Sequence, residues 1–183
     1  RFVVEKRSRT MAKENRPNDP LDILGVAYET MLERSATEFH KLEKKSGPAL
    51  HSLIDKARAK AVELGELTED EAARLAEYLK RDLSDASFYI SETGREFKDW
   101  LGFEDSLIAA ELLDVFLQAA DPTTVEMNEF KLELAAHSIY KTSEVTGPGA
   151  LVCDECGEVL HFHKAGCIPP CPKCHKTSFH RKS

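Results

Sequence analysis

All five cysteines of the chain lie near its C-terminal end, and four of them form two closely spaced pairs. The pairs are Cys153-x2-Cys156 and Cys171-x2-Cys174, with fourteen residues between them. Because a Cys-x2-Cys turn holds two sulfurs close together, two such turns can supply the four thiolates of a tetrahedral metal site. Four protein thiolates fill that coordination shell and leave no position for water. The pattern therefore predicts one structural Zn²⁺ per chain rather than a catalytic ion.

Three other chemistries use similar cysteine spacing. An iron site of the rubredoxin type stays open, although the segment offers little aromatic packing beyond Phe162 and Phe179. Two disulfides would require an oxidising compartment, which nothing in the sequence indicates. A thioredoxin-like redox pair would place a Cys-x2-Cys motif at the start of a helix, and Pro172 together with the doubled motif disfavours that arrangement. Zinc is the favoured interpretation.

Two short strands are predicted around the cysteine pairs. Apolar and polar residues alternate over 158–162, and 177–181 is the expected partner strand, with Phe179 facing inward. About thirty residues bury too little apolar surface to fold alone, so the metal would supply much of the folding free energy. Residues 151–183 are therefore predicted to form a zinc ribbon.

Four further side chains near the pairs are candidates for metal exchange. They are Cys167, His161, His163 and His175. The simpler interpretation places the histidines on the surface of a small sheet and leaves Cys167 as a free thiol. His175 follows the second cysteine pair, where the backbone often adopts a positive φ that histidine tolerates less well than glycine.

Between residue 21 and about residue 97, apolar residues recur mostly at intervals of three and four, which predicts long helices with coiled-coil spacing. The first helix is predicted to begin at Asp19-Pro20, and Ser46-Gly47-Pro48 breaks the pattern. The second helix is predicted to stop at Gly65. Because the breaks between these helices are short, neighbouring helices are expected to pack antiparallel.

A third helix is predicted to open with a capping box, in which Thr68 caps the helix and Glu71 reaches back. It is expected to run to about Lys98. Two shorter helices are predicted to begin at Asp105 and at Asp121-Pro122, where proline occupies the first helical position.

These elements predict a mainly α chain in four segments: a disordered or non-native lead-in at 1–18, an acidic helical domain at 19–141, a linker at 142–150 and the zinc ribbon at 151–183. The helical domain is expected to be an antiparallel hairpin or bundle with coiled-coil character. Met11 is expected to be a translation start, which would place residues 1–10 upstream of it.

Three passages of the chain resemble a bacterial family: GELTEDEAARLAEYLKRDL at 65–83, HSIYKTSEVTGPGALVCDECG at 137–157 and CPKC at 171–174. Together they resemble the zinc-ribbon proteins typified by YbeL of enteric bacteria, which have a helical region followed by a C-terminal zinc ribbon. The resemblance implies that the two Cys-x2-Cys pairs are the metal ligands, and it implies no activity. Relatives usually carry glycine where His175 stands, and Cys167 lies outside their pattern.

Charge separates two binding hypotheses. Residues 17–150 contain 27 Asp and Glu against 14 Lys and Arg, a formal net charge of −13. Residues 151–183 carry a formal +2, which four thiolates around one Zn²⁺ bring close to zero. Phosphate binding depends on clustered cations, so this chain is a poor electrostatic match to bare nucleic acid. We therefore expect a non-enzymatic interaction protein whose acidic helices self-associate or dock on a protein partner, with the ribbon as a contact module.

The alternative hypothesis is a nucleic-acid-binding or transcription- or translation-associated factor that uses the ribbon and its basic tail. Its candidate contact residues are Lys173, Lys176, Phe179, Arg181 and Lys182. A third hypothesis gives Cys167 a redox or metal-exchange role.

No carboxylate pair, nucleophile–base set or glycine-rich phosphate loop in the sequence indicates an enzyme or a small-molecule substrate. No apolar run is long enough to span a membrane. Reduced thiols at a metal site indicate the cytoplasm.

Overall fold

The computed structural model describes residues 20–43, 47–93, 99, 101–102 and 139–181. Within these ranges the principal elements are three helices followed by six strands: α1 (Pro20–His40), α2 (Gly47–Glu63), α3 (Glu69–Thr93), β1 (Tyr140–Lys141), β2 (Val145–Thr146), β3 (Gly149–Cys153), β4 (Val159–Phe162), β5 (Gly166–Cys167) and β6 (Ser178–Arg181). The lead-in predicted at 1–18 and the two helices predicted after Asp105 and from Asp121 lie outside the described residues. No helix in the described ranges combines the length and apolarity that crossing a membrane requires.

The turn between α2 and α3 follows from its local sequence. Gly65 has a φ of 68°, and its N–H bonds the carbonyl of Val62 while the N–H of Glu66 bonds that of Ala61. This is the pair of bonds of a Schellman motif, which satisfies the last carbonyls of a helix. The predicted capping box opens α3, since Thr68 N donates to Glu71 Oε2 at 2.9 Å and Glu71 N donates to Thr68 Oγ1 at 3.3 Å.

The three helices pack against one another around a continuous apolar core. The largest fully buried side chains of this core include Tyr28, Met31 and Leu32 of α1, Ile54 of α2 and Leu79 of α3. The three helices are confirmed, and α1 ends at His40, earlier than the sequence predicted. Coiled-coil geometry and antiparallel packing stay predictions.

The strands form two small sheets. The larger is an antiparallel sheet in the order β1-β6-β3-β4, and the smaller pairs β2 with β5. The strands predicted over 158–162 and 177–181 are present, and Phe179 faces inward as predicted. Their predicted pairing is wrong, because β3 lies between β4 and β6 and pairs with both.

The segment 142–150, expected to be a linker, is folded. It contains β2 and the start of β3, and residues 145–150 are all buried. Glycine and proline indicate a break in regular structure but not what the backbone faces. Here the N–H of Gly147 bonds a carboxylate on α3, and Val145 joins the helical core. Residues 142–150 therefore belong to the folded C-terminal region, called the ribbon from here on, and this region packs directly on the helices.

A pH-dependent contribution to stability comes from His51 on α2. Burial, followed by the nearby positive charge of Lys80, lowers the pKa of His51 from 6.5 to about 4. Because the unfolded chain then takes up a proton at a higher pH than the folded one, folding stability falls as the pH drops from about 6.5 to about 4. We expect His51→Gln to make the unfolding free energy less dependent on pH in that window, measured by urea titration at a series of pH values.

The control is His40→Gln, which replaces an exposed histidine at the end of α1. Comparing variants cancels the contributions of groups they share, including any acid sensitivity of the cysteine cluster. If the native chain and His51→Gln lose stability in parallel between pH 6.5 and 4, the assignment to His51 is wrong.

Candidate metal centre

The four paired cysteines meet at one point. Their sulfurs all lie within 4.8 Å of one another, and the Cys153–Cys174 and Cys156–Cys171 sulfur pairs are each 3.5 Å apart. A tetrahedral shell with metal–sulfur bonds of about 2.3 Å places sulfurs about 3.8 Å apart. The donor set and its spacing fit a tetrahedral Zn²⁺. The four residues predicted as ligands are brought together as predicted.

Two nearly equivalent turns carry these cysteines. In the first, the N–H of Gly157 bonds the carbonyl of Cys153 at 3.0 Å, and in the second the N–H of His175 bonds that of Cys171 at 2.9 Å. Gly157 has a φ of 71° and His175 a φ of 59°. The left-handed backbone expected at His175 is confirmed, so the second turn keeps its shape without a glycine.

Cys171 and Cys174 differ in the pKa of their thiols. Burial tends to raise the pKa of Cys171, but the N–H groups of Cys174 and Lys173 and the sulfurs of Cys156 and Cys174 outweigh it and lower the value to about 7. The N–H of Lys176 favours the thiolate of Cys174, yet burial and the three neighbouring sulfurs raise the pKa of Cys174 to about 12. Like charges so close resist joint ionisation, and a divalent cation bound among them would remove that repulsion.

Asp154 ties the first cysteine turn to β6. Its carboxylate accepts a short hydrogen bond from the Ser178 hydroxyl and lies 2.5 Å from Nδ1 of His180. The hydrogen bond from Ser178 is the main reason that the pKa of Asp154 is lowered. The N–H of Asp154 also bonds the Ser178 carbonyl at 3.1 Å, so backbone and side chain hold the turn in place together.

The four candidates for metal exchange lie outside the cluster. Within the described ranges, the four paired cysteines form the only group of three or more His, Cys, Asp or Glu residues placed to hold an ion. The side chains of His161, His163 and His175 are exposed. Cys167 belongs to β5, where it is paired with Val145 and packs against the helical core.

The candidate contact residues do not form one surface. Lys173 and Lys176 are exposed, and Lys182 lies outside the described residues. Phe179 is fully buried in the ribbon core, and Arg181 is only 7% exposed. The two side chains alternate with His180 along β6, so both point to the covered face of the sheet.

A buried carboxylate on α3 joins the ribbon to the helices. Asp82 is 0% exposed, and one of its oxygens, Oδ2, accepts hydrogen bonds from Tyr28 Oη at 2.9 Å, Gly147 N at 2.7 Å and Thr146 Oγ1 at 3.2 Å. Its other oxygen accepts from Arg81 Nε at 3.2 Å. We call these five residues, with Arg181, the Asp82 network. Burial and the Asp82 carboxylate hold the pKa of Tyr28 well above its usual range, so the phenol stays a donor.

Arg181 brings the C-terminal strand into the Asp82 network. Its guanidinium lies 3.7 Å from Asp82 Oδ2 and donates to Thr146 Oγ1 at 2.9 Å and to the Pro148 carbonyl at 3.2 Å. It also donates to Tyr140 Oη at 3.3 Å. A buried charge is tolerated when it is paired and hydrogen-bonded, which is the case for both partners here.

Arg81 makes further contacts between α3 and the C-terminal strands. Its guanidinium lies 3.9 Å from the ring centroid of Tyr140 and donates to Glu144 at 2.5 Å and to the Val145 carbonyl at 3.2 Å. Burial works against the charged form, but Asp82, Tyr140 and Glu144 outweigh it and raise the pKa of Arg81. The planar guanidinium therefore stacks on the Tyr140 ring and also donates to a carboxylate, two contacts that its flat shape allows at the same time.

A second contact joins the ribbon to α1. The N–H of Ala165 donates to Glu29 Oε1 at 3.0 Å. A Cβ placed on Gly25 would lie 2.5 Å from the Ala165 carbonyl oxygen, so only glycine permits this close approach. Burial raises the pKa of Glu29.

The Asp82 network was not predicted from the sequence, although Arg181 was a candidate contact residue. One signal was available, because Asp82 falls on the apolar stripe of α3 between Leu79 and Ala86, where a charged residue has to find buried partners. Which residues become those partners is decided by the tertiary structure. Arg181 and Thr146 are 99 and 64 residues away along the chain, and no spacing rule connects them to α3.

Gly149 provides a test of the contact between the ribbon and the helices. Its φ is 143°, and a Cβ there would overlap Nη1 of Arg181. We expect Gly149→Ala to destabilise the fold by about 2–4 kcal/mol, through backbone strain and displacement of the guanidinium. Urea unfolding monitored by circular dichroism measures the change.

The matched control is Gly65→Ala, where φ is +68° and a Cβ would meet no atom within 4 Å. That change carries only the backbone cost of about 1 kcal/mol. If the two substitutions destabilise the fold equally, the approach of Arg181 to Gly149 contributes nothing.

Comparison with known proteins agrees with the cysteine geometry. Residues 37–183 match the family described as "Zinc-ribbon containing domain". The chain is 29% identical over 133 residues to "Uncharacterized protein YbeL" of Escherichia coli strain K12, covering 73% of this chain and 82% of the relative. The same figures hold for the proteins of that name in the O6:H1 and O157:H7 strains. No solved structure matches the chain significantly. The chain therefore belongs to the family of proteins with this zinc-ribbon domain.

Proposed function

We propose that this protein is a non-enzymatic zinc-binding interaction protein, in which one structural Zn²⁺ stiffens a ribbon that is seated on an acidic helical body. The observation that carries the proposal is the closed set of four cysteine sulfurs within 4.8 Å of one another. Zn²⁺ held by four thiolates has no open position for water or substrate. It would act as a crosslink between the end of β3 and the turn before β6.

Charge and exposed apolar side chains support protein partners or self-association. Residues 17–150 carry a formal net charge of −13, which disfavours an approach to phosphates. On α1, Ile23 and Val26 are 54% and 61% exposed although they lie one turn apart on the same face. Such a pair near the start of a helix would suit a protein contact. Reduced thiols at the metal site accord with a cytoplasmic location.

Nucleic-acid binding through the ribbon is the second candidate. The exposed Lys173 and Lys176 favour it. The burial of Phe179 and Arg181 removes the aromatic ring for base stacking and the guanidinium for phosphate from the proposed surface. The protein-interaction proposal is therefore the better supported of the two.

The metal proposal is tested with matched cysteine variants. We expect the native chain and Cys167→Ser to retain one Zn²⁺ per chain and Cys171→Ser to lose it, because Cys171 belongs to the four-sulfur cluster and Cys167 does not. Elemental analysis after dialysis against a weak chelator measures the stoichiometry. A native chain without stoichiometric zinc, or equal zinc loss in both variants, would falsify the assignment.

The interaction proposal is tested by light scattering after size-exclusion chromatography. If the exposed α1 face mediates self-association, Ile23→Ser with Val26→Ser should weaken it at least tenfold. The control Val62→Ser, on α2 and 37% exposed, should leave it unchanged.

The same samples are titrated with single-stranded DNA and RNA at low ionic strength. We expect no binding. A strictly monomeric native chain that binds no protein and instead binds nucleic acid in a salt-dependent way would favour the second candidate.

A further inference from the structure

We propose that zinc occupancy of the ribbon controls the packing of α1 and α3, because the ribbon supplies one side of the helical core. The zinc-loaded ribbon would complete the core, and the metal-free ribbon would release it. This inference rests on the zinc binding proposed above. It goes further by making the metal site a conformational switch for the helices.

The first supporting observation is that the core of the helices includes side chains from the ribbon. Val145 of β2 and Ala165, next to β5, belong to the same buried cluster as Tyr28 and Met31 of α1 and Leu79 of α3. β5 and β2 contact α1, and β2 also contacts α3. Removing these strands would expose apolar surface on two helices at once.

The second observation is the position of the metal ligands along the chain. The turn Cys171–Cys174 lies between Ala165, which meets Gly25 and Glu29 of α1, and Arg181, which enters the Asp82 network. The first ligand, Cys153, ends β3 and is paired with Phe179 of β6. The metal site thus holds together the chain segments on which both contacts depend.

The third observation is the charge that undocking would leave behind. The ribbon supplies three partners of the buried Asp82 carboxylate, namely Gly147 N, Thr146 Oγ1 and the Arg181 guanidinium. The helices themselves supply Tyr28 and Arg81. A carboxylate that loses three of its five buried partners has to be hydrated, so the helices around it would have to open toward water.

Thermodynamic linkage makes the coupling reciprocal. If zinc favours the docked ribbon, then docking favours zinc by the same factor. A substitution in α1 that hinders docking should therefore weaken zinc binding although it lies far along the chain from every ligand. Gly25→Ala is the sharpest such change, because alanine favours the helix itself more than glycine does while its Cβ meets the Ala165 carbonyl.

Zinc affinity of the full chain is measured by competition with a chromophoric chelator. We expect Gly25→Ala and Arg181→Met each to weaken zinc binding at least tenfold, within the range of typical allosteric couplings of about 5- to 150-fold. The control is Arg34→Met, since Arg34 also makes a two-bond ion pair, with Glu66 at 2.7 Å, but joins α1 to the turn after α2. It should stay within twofold of the native value.

Amide hydrogen exchange of the native chain provides a second readout that is independent of any substitution. Removal of zinc with EDTA should accelerate exchange at least tenfold in α1 over residues 24–36 and in α3 over residues 75–86. Re-addition of Zn²⁺ should restore protection. In Gly25→Ala, zinc should change the exchange of these segments less than in the native chain.

Two results overturn the coupling: unchanged exchange in α1 and α3 when zinc is removed, or native zinc affinity in Gly25→Ala. Because Gly25→Ala does not remove a helix-stabilising group, it remains informative even if Arg181→Met fails to fold. A native chain that binds no zinc would remove the proposed metal function and the coupling together. A chain that binds zinc, but in which zinc does not change the hydrogen exchange of α1 and α3, would overturn the coupling alone.

Discussion

The structure depends on one constraint, which is that a carboxylate buried on α3 finds its partners in the C-terminal strands. Asp82 is fully buried, and in a low-dielectric environment its charge is tolerated only with hydrogen bonds and a nearby cation. Gly147, Thr146 and Arg181 provide them across the interface. Apolar contact alone could be satisfied by several orientations of the ribbon on the helices. The directional bonds to one carboxylate oxygen select a single orientation.

The ribbon, in turn, combines two kinds of support that act at different ranges. The cysteine cluster joins two turns that lie close together in the chain, and a bound metal would fix them locally. The contact with α1 and α3 buries apolar side chains of the C-terminal region, including Val145 and Ala165, which a domain of this size cannot bury by itself. Tyr140 connects these two supports. It packs in the ribbon core beside the cysteines, and its ring lies 3.9 Å from the Arg81 guanidinium on α3.

The metal ligands and the helices could be predicted from sequence because their signals are local. Two Cys-x2-Cys motifs specify four donors, and the box at Thr68 and Glu71 marks where α3 begins. The seat could not be predicted, because basic residues near a chain end are usually exposed and Arg181 is an exception. Gly147-Pro148-Gly149 was predicted to be a linker because glycine and proline are typical of irregular segments. The sequence does not show that Gly149 makes room for the Arg181 guanidinium.

An arrangement of this kind favours a role in which the ribbon is presented in one orientation rather than on a flexible tether. A tethered contact module would need few polar contacts to its neighbour, since relative motion is the default between domains with small interfaces. Here the buried Arg181, the largely buried Arg81, a buried carboxylate and a glycine contact restrict that motion. An apolar interface of equal size would often hold as firmly, so these buried ions contribute more to the orientation of the ribbon than to the stability of the interface. The proposed partner would then contact helices and ribbon as one surface.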